Sequence, residues 1–453
     1  MTALRHMLLV VTATAIGAPP AQGQRADVER PFGTLREQTD IRQQWLHDRL
    51  ALVLPAVLRA HGVDMWVVSM REYNEDPVFR ALVSPTTFAA RRRTIYVFFD
   101  RGPATGIERI ALGGSSQGGL YEAIRGTEQA PDGRPREQWG QSQWDAFAAI
   151  VRERDPRTIA VNISREHAFA DGLSAGEWEQ MQRALGPPLA GRVVRNERLA
   201  LDYLAIRVPS MEPVYRRMQE LVHQIIETAF SSTVITPGVT TTADVVWWMR
   251  QRVNDLGLGT WFQPSVSVQR RATDMADSTA PVIRRGDVLH CDFGITALGL
   301  HTDTQHMGYV LRDGETQPPA GLREALRNSN RLQDLLLAEM RAGRTGNEML
   351  HATLTRMQAA GIDGTVYTHP IGDHGHGAGP LIGLWDRQDG VPGRGDVPLL
   401  PSTWYSIELQ ATTSVPEWDG QRVRSMQEEE AVVGQDGQIG WALKRQVSFH
   451  LVR

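Results

Sequence analysis

The sequence predicts an α/β domain followed by an α+β domain, on three observations. Its 453 residues exceed the roughly 100–200 expected of one domain. Helix-period and strand-like segments alternate as far as about residue 164. From about residue 208, two long amphipathic segments give way to short strands and glycine-rich loops that continue to the C-terminus. At 41% hydrophobic and 22% charged, with 42 Gly and 25 Pro, the composition is that of a globular chain, excluding disorder, collagen and a disulfide scaffold. Lysine plus arginine total 48 against 52 acidic residues, a formal charge of -4. That balance gives no general attraction to nucleic acid or an anionic membrane.

The N-terminus has the order of a secretory signal peptide. Arg5 and His6 precede an apolar run, and Pro19, Pro20 and the small residues Ala21 and Gly23 follow it. The run is about a dozen residues, shorter than the roughly 20 a spanning helix needs. Residues 1–23 are therefore expected to be a signal peptide, the mature chain to begin near Gln24, and the protein to be exported to the periplasm or outside the cell without a lasting membrane span. Cys291 is the single cysteine, so no internal disulfide can form; it is expected to be a buried packing residue.

Within 24–207, the α/β domain, residues 36–63 have Ile41, Trp45, Leu50, Leu52, Leu54 and Val57 near helical spacing, with a kink expected at Pro55. The runs 65–70, 93–100 and 158–164 are rich in β-branched and aromatic residues and read as strands. The stretch 113–119 lacks the helix-flanked spacing of a dinucleotide loop and reads as a surface turn. Within 208–453, segments 211–230 and 243–256 read as helices. Pro237 and Gly238 turn the chain between them, and 240–244 caps the second. Residues 383–401 read as a flap or surface excursion.

Four segments of the second domain bear candidate ligands. Residues 288–311 read as a β-hairpin, and a turn centred between Ala297 and Leu298 would set Asp292 opposite Asp303. Carboxylates directly across an antiparallel pair repel unless a proton or cation lies between them; a register one residue different would instead leave two solvated aspartates on separate faces. His369, His374 and His376 lie among Gly372, Gly375, Gly377 and Gly379, where the backbone can turn imidazoles inward. Glu408 occupies the polar face of an alternating strand, and Glu428, Glu429 and Glu430 directly precede an apolar strand end. Taken singly, each of these also reads as a surface or structural residue.

Taken together, two Asp eleven residues apart, His369 with Gly372 and His376 at +3 and +7, Glu408, and an acidic residue before a final apolar strand resemble the metallopeptidase family of methionine aminopeptidase, prolidase and Xaa-Pro aminopeptidase. The resemblance covers about 214–433 and implies a pita-bread fold. It implies that Asp292 binds one metal, that His369 and Glu408 bind another, and that Asp303 and Glu428 bridge both, Glu428 being preferred to Glu429 or Glu430 by its distance from Ala431–Val433. His374 is a rival for a metal or substrate role. Two divalent ions, Mn first with Co, Zn or Fe also suited, would hold a hydroxide that attacks a peptide carbonyl, with Glu408 shuttling the proton and His376 facing the substrate. The preceding α/β domain and the export signal resemble the Xaa-Pro aminopeptidase and prolidase branch, in which the N-terminal domain covers the site. The implied activity is exopeptidase cleavage after an N-terminal residue, before proline, on a peptide substrate, with homo-oligomers common among such relatives. Three departures stand out: no histidine in 263–278, where Arg270 and Asp274 occur; Leu409 and Gln410 after Glu408; and Pro370 after His369. They leave a second reading, a weakened pita-bread module that binds peptides or serves in assembly.

Overall fold

The computed structural model describes residues 30–126, 129–134, 136–272 and 280–453. The signal-peptide segment 1–23 and Asp274 lie outside them. The first helix runs from Leu35–Asp48 and is started by a capping box between Thr34 and Glu37. It is not broken at Pro55. It widens through a π-turn at Arg49–Val53 and continues as Leu54–Ala60. Proline brings no N–H to the ladder, and the wider turn absorbs that loss without a break.

Strands β1 (Met65–Arg71), β2 (Arg93–Asp100), β3 (Ile107–Leu112), β4 (Glu122–Ile124), β5 (Ile159–Val161) and β6 (Val193–Arg195) form one mixed sheet in the order β4-β3-β2-β1-β5-β6. Alternation along β1 and β2 sends Trp66 and Phe98 to one face and Val67 and Val97 to the other. The second face is covered by helices Gln141–Arg154 and Ala175–Ala190 through Trp144, Phe147 and Met181. The first face joins an apolar core continuous with the rest of the chain, passing through Leu204, Val208 and Tyr215 to Phe230 and Leu289.

The second sheet contains β7 (Ser265–Gln269), β8 (Val288–Phe293), β11 (Thr304–Val310), β12 (Asp363–Val366), β13 (His369–Ile371), β14 (Thr403–Val415), β15 (Gln421–Val433), β16 (Ile439–Trp441) and β17 (His450–Val452). Its path is β12-β14-β15-β11-β8-β7, with β13 beside β14, β16 beside β15 and β17 beside β11. A small ribbon, β9 (Thr296–Ala297) with β10 (Leu300–His301), caps the β8–β11 hairpin. Helices Glu212–Ala229, Thr242–Asp255, Ala320–Glu339 and Gly346–Ala359 lie on one side of this sheet. Leu289, Cys291 and Phe293 pack with the first pair and Ile407, Leu409, Ala431 and Val433 with the second. These are odd-numbered positions of β8, β14 and β15, so strand alternation delivers the even-numbered residues of those strands to the opposite face. Cys291 is buried, as its packing role requires.

The hairpin register differs from the expected one. The tight turn is Leu298–Gly299, both with positive φ (50° and 81°), which is the backbone of a type I′ turn. It sets Ala297 opposite Leu300 and Asp292 opposite Gln305, not Asp303. The turn sits one residue further on because glycine fits its second position. Partner positions thereby shift by two, and an even shift keeps both aspartates on one face. Residues 383–401 are no free excursion: Val391, Val397 and Leu399 are buried, and the Asn347 side chain accepts from the Val391 N–H and donates to its carbonyl.

Candidate metal centre

The helix-free face of the second sheet carries a row of polar side chains across four strands. Asp292 on β8 pairs with Gln305 on β11, Gln305 with Glu428 on β15, and Glu428 with Glu408 on β14. A second row lies two residues away. Asp303 donates its backbone N–H to Glu430 Oε1 at 2.7 Å, Glu430 is opposite Ser406, and Ser406 is opposite His369 on β13. The two rows bring Asp292, Asp303, His369, Glu408 and Glu428 to one centre. Donor atoms of Asp292, Asp303 and Glu428 lie within 4.8 Å of one another, as do those of His369, Glu408 and Glu428. His369 Nε2 is 3.2 Å from Glu428 Oε1, 3.7 Å from Asp303 Oδ2 and 4.0 Å from Glu408 Oε2.

This centre is buried and short of positive charge. Glu428 is 1% exposed and Asp303 5%, and Glu408 faces Glu428 as a direct like-charge pair, an arrangement that destabilises a sheet. Burial, then the charges of Glu428 and Asp292, push the Glu408 carboxyl well above its ordinary range. Asp303 is raised by burial and then by Glu428, Asp292, Glu408 and Glu430. Asp292 is raised by burial and by Glu428. Asp292 Oδ1 and Asp303 Oδ1 are buried without a hydrogen-bond partner. An unpartnered buried carboxylate oxygen is costly; several around one imidazole form the oxygen-rich donor set that suits a divalent cation. The residues fit a divalent metal.

Gln305, absent from the expected ligands, and Glu430, the lesser candidate beside Glu428, hold the centre in place. Gln305 Nε2 donates to Glu428 Oε2 at 2.8 Å and to Glu408 Oε1 at 2.5 Å, while its Oε1 lies 2.9 Å from His290 Nε2. Glu430, 3% exposed, fixes the Asp303 backbone. Strand alternation was the available signal: Gln305 and Glu430 are two residues from expected ligands, hence on their face. Ser406 Oγ also donates to Glu428, at 2.6 Å.

A pocket of about 510 Å³ opens onto the centre, lined by Tyr367, His369, His376, Trp385, Arg394 and Glu408 among others. His376 is solvent-exposed, its ring 4.8 Å from that of His369 and 5.2 Å from Trp261. Partial desolvation of the ring by the pocket walls, then the neighbouring His369, hold its pKa below the ordinary value, favouring a neutral imidazole. Gly375 lets Trp261 pass beneath this loop, since a Cβ there would meet the indole at 2.3 Å. His374 goes elsewhere. Its ring packs 4.6 Å from Phe169 of the first domain and lines a separate cavity with Arg42, Arg49 and Asp373. Upstream, Arg270 is committed to buried Asp287 through two 2.6 Å hydrogen bonds.

Residues 214–434 match metallopeptidase family M24. The C-terminal domain belongs to this family. No curated protein sequence matches the chain. Solved structures share the whole architecture at low identity. An X-Pro aminopeptidase from Thermotoga maritima is 16% identical with a TM-score of 0.57, covering 88% of this chain and 100% of its own. An Xaa-Pro dipeptidase from Bacillus anthracis is 16% identical with a TM-score of 0.53, covering 92% and 99%. The N-terminal domain of FACT complex subunit SPT16 from chickpea, Cicer arietinum, is 10% identical with a TM-score of 0.55, covering 92% and 99%. The expected architecture, an α/β region before a pita-bread domain, is the one observed. Among the described residues, no helix is long and apolar enough to cross a membrane.

Proposed function

We propose that this M24 chain is an exported, two-metal exopeptidase that hydrolyses the peptide bond after an N-terminal residue, with proline following. The observation that carries the reading is the pair of cross-strand rows, which gathers four carboxylates and one imidazole with unpartnered Asp292 and Asp303 oxygens beside an open pocket. Asp292 would hold one ion, His369 and Glu408 the other, and Asp303 and Glu428 both. When bound, two divalent cations, Mn first, would supply Lewis acidity and acidify water to near-neutral pH. Glu408 belongs to the cluster and also lines the pocket, so it is placed to take a proton from water and return it to the leaving amine. His376 reaches the pocket as a neutral imidazole whose N–H can donate to an oxygen that gains charge as the carbonyl is attacked. Arg394 and Arg424 line the same pocket and offer positive charge to a peptide carboxylate. The likeness to an X-Pro aminopeptidase and an Xaa-Pro dipeptidase supports the Xaa-Pro choice.

Purified protein loaded with Mn or Co and given Xaa-Pro dipeptides and longer Xaa-Pro peptides tests this reading. Chelator-sensitive release of the first residue is expected; no cleavage of either substrate would refute it. Export is tested by the N-terminus of the protein recovered outside the cytoplasm, expected near Gln24. A second reading, a peptide-binding or assembly module, draws on the absence of histidine in 263–278 and on the likeness to the SPT16 domain. Peptide binding without turnover would favour it.

A further inference from the structure

The helix side of the same sheet carries a second cluster of ligating side chains. Glu429 points away from Glu428, as strand alternation requires. Its Oε2 lies 3.1 Å from His223 Nε2 on helix Glu212–Ala229, and its Oε1 lies 2.8 Å from His306 Nε2 on β11. His306 Nδ1 is in turn 2.9 Å from His450 Nε2 on β17. Glu429, His306 and His223 are 1%, 2% and 9% exposed. One ligand atom from each of these three lies within 4.8 Å of the others. A separate cavity of about 430 Å³ reaches the cluster, lined by His223, His306, His450, Glu227 and Lys444.

We propose that His223, His306 and Glu429 form a third divalent-cation site, of zinc type, with its fourth position open to this cavity. A buried carboxylate needs one cation to balance it. Here two imidazoles from different elements point their Nε2 atoms at that carboxylate, and a third imidazole backs one of them. Two His and one Glu with an open position is a known zinc ligand set. Bonds of roughly 2.0–2.1 Å at tetrahedral angles put ligand atoms about 3.3 Å apart. The contacts run to different oxygens, His306 to Oε1 at 2.8 Å and His223 to Oε2 at 3.1 Å, so a cation between the two imidazoles meets the Glu429 carboxylate on either oxygen after small side-chain shifts. Binding requires both Nε2 lone pairs, so the proton each Nε2 shares with Glu429 moves to Nδ1 or to solvent. At His306 the resulting Nδ1–H donates to His450 Nε2, making His450 a positioning residue that fixes the ring.

The test uses zinc as the probe on the full mature chain carrying Asp292→Ala and Asp303→Ala, so that the outcome is independent of the peptidase reading. Anomalous scattering from zinc-soaked crystals should show a peak between Glu429 and His223. No peak there would overturn the proposal. In equilibrium dialysis, adding His223→Ala should remove one zinc per chain; if zinc at the Glu429 peak persists in that variant, the ligand assignment fails. His450→Gln should weaken zinc at this site about 10–100-fold, the range for partners that orient a metal-bound histidine. Unchanged affinity would remove His450 from the proposal.

Discussion

Two buried acidic centres of this protein have opposite surroundings. Asp373 sits where the first domain meets the second, with Arg49 at 2.6 Å and Arg207 at 3.0 Å, both guanidiniums almost fully buried. Although burial disfavours its charge, the two arginines hold its carboxyl well below the usual range. Asp292, Asp303, Glu408 and Glu428 are similarly enclosed, but their charged neighbours are mainly each other, and three of them are displaced upward. The difference lies in the sign of the neighbouring charge. The chain supplies its own cations to lock Asp373 and leaves the other centre to be neutralised from outside.

The sharpest way to break that comparison is to remove ligands. Asp292→Ala and Asp303→Ala are each expected to lose nearly all Xaa-Pro hydrolysis and to lower the occupancy of this centre from about two ions, read by elemental analysis of Mn-loaded protein beside kcat/KM. Retained metal and turnover would show that the acidic centre is no different in kind from Asp373. Conversely, Asp373→Ala leaves two buried guanidiniums without a counter-charge and should cost about 3–5 kcal/mol in denaturant unfolding, with the metal retained.

His376→Ala should lower kcat about 10²–10³-fold, the range for losing a donor to a developing oxyanion, while metal content stays unchanged. Loss of metal would instead place His376 among the ligands. Gln305→Ala should weaken metal affinity about 10–100-fold, because it frees Glu408 and Glu428 from their shared donor; titration with Mn reads this. The smallest expected effect concerns pH. A carboxyl with a depressed folded pKa adds stability that is complete above its unfolded value, about 4, and fades as pH falls toward the folded value. Asp373→Asn should therefore flatten the loss of stability below about pH 4, followed by melting temperature across acid pH.

The candidate ligands were legible because their spacing survives without knowledge of the fold: Asp292 and Asp303 flank one hairpin, His369 and His376 bracket a glycine-rich loop, and Glu408 lies on a strand with clear alternation. What spacing could not supply was the pairing. Asp292 faces Gln305 because a positive-φ turn at Leu298–Gly299 sets the register. Only the family resemblance preferred Glu428 to Glu429 and Glu430; in the fold Glu428 and Glu430 face the candidate centre and Glu429 faces His223 and His306. The loop 383–401, rich in glycine and proline, read as an excursion because its anchor, Asn347, is distant in the chain.

The sequence by itself determined the order of domains, the helix and strand periods, and the inventory of acids and imidazoles, since these depend on local chemistry along the chain. Only the tertiary structure decided which acids face one another, that Gln305 stands between them, and that His374 serves the domain boundary rather than the centre. Those outcomes depend on strand register and on contacts between residues far apart in the chain, which local propensity does not encode.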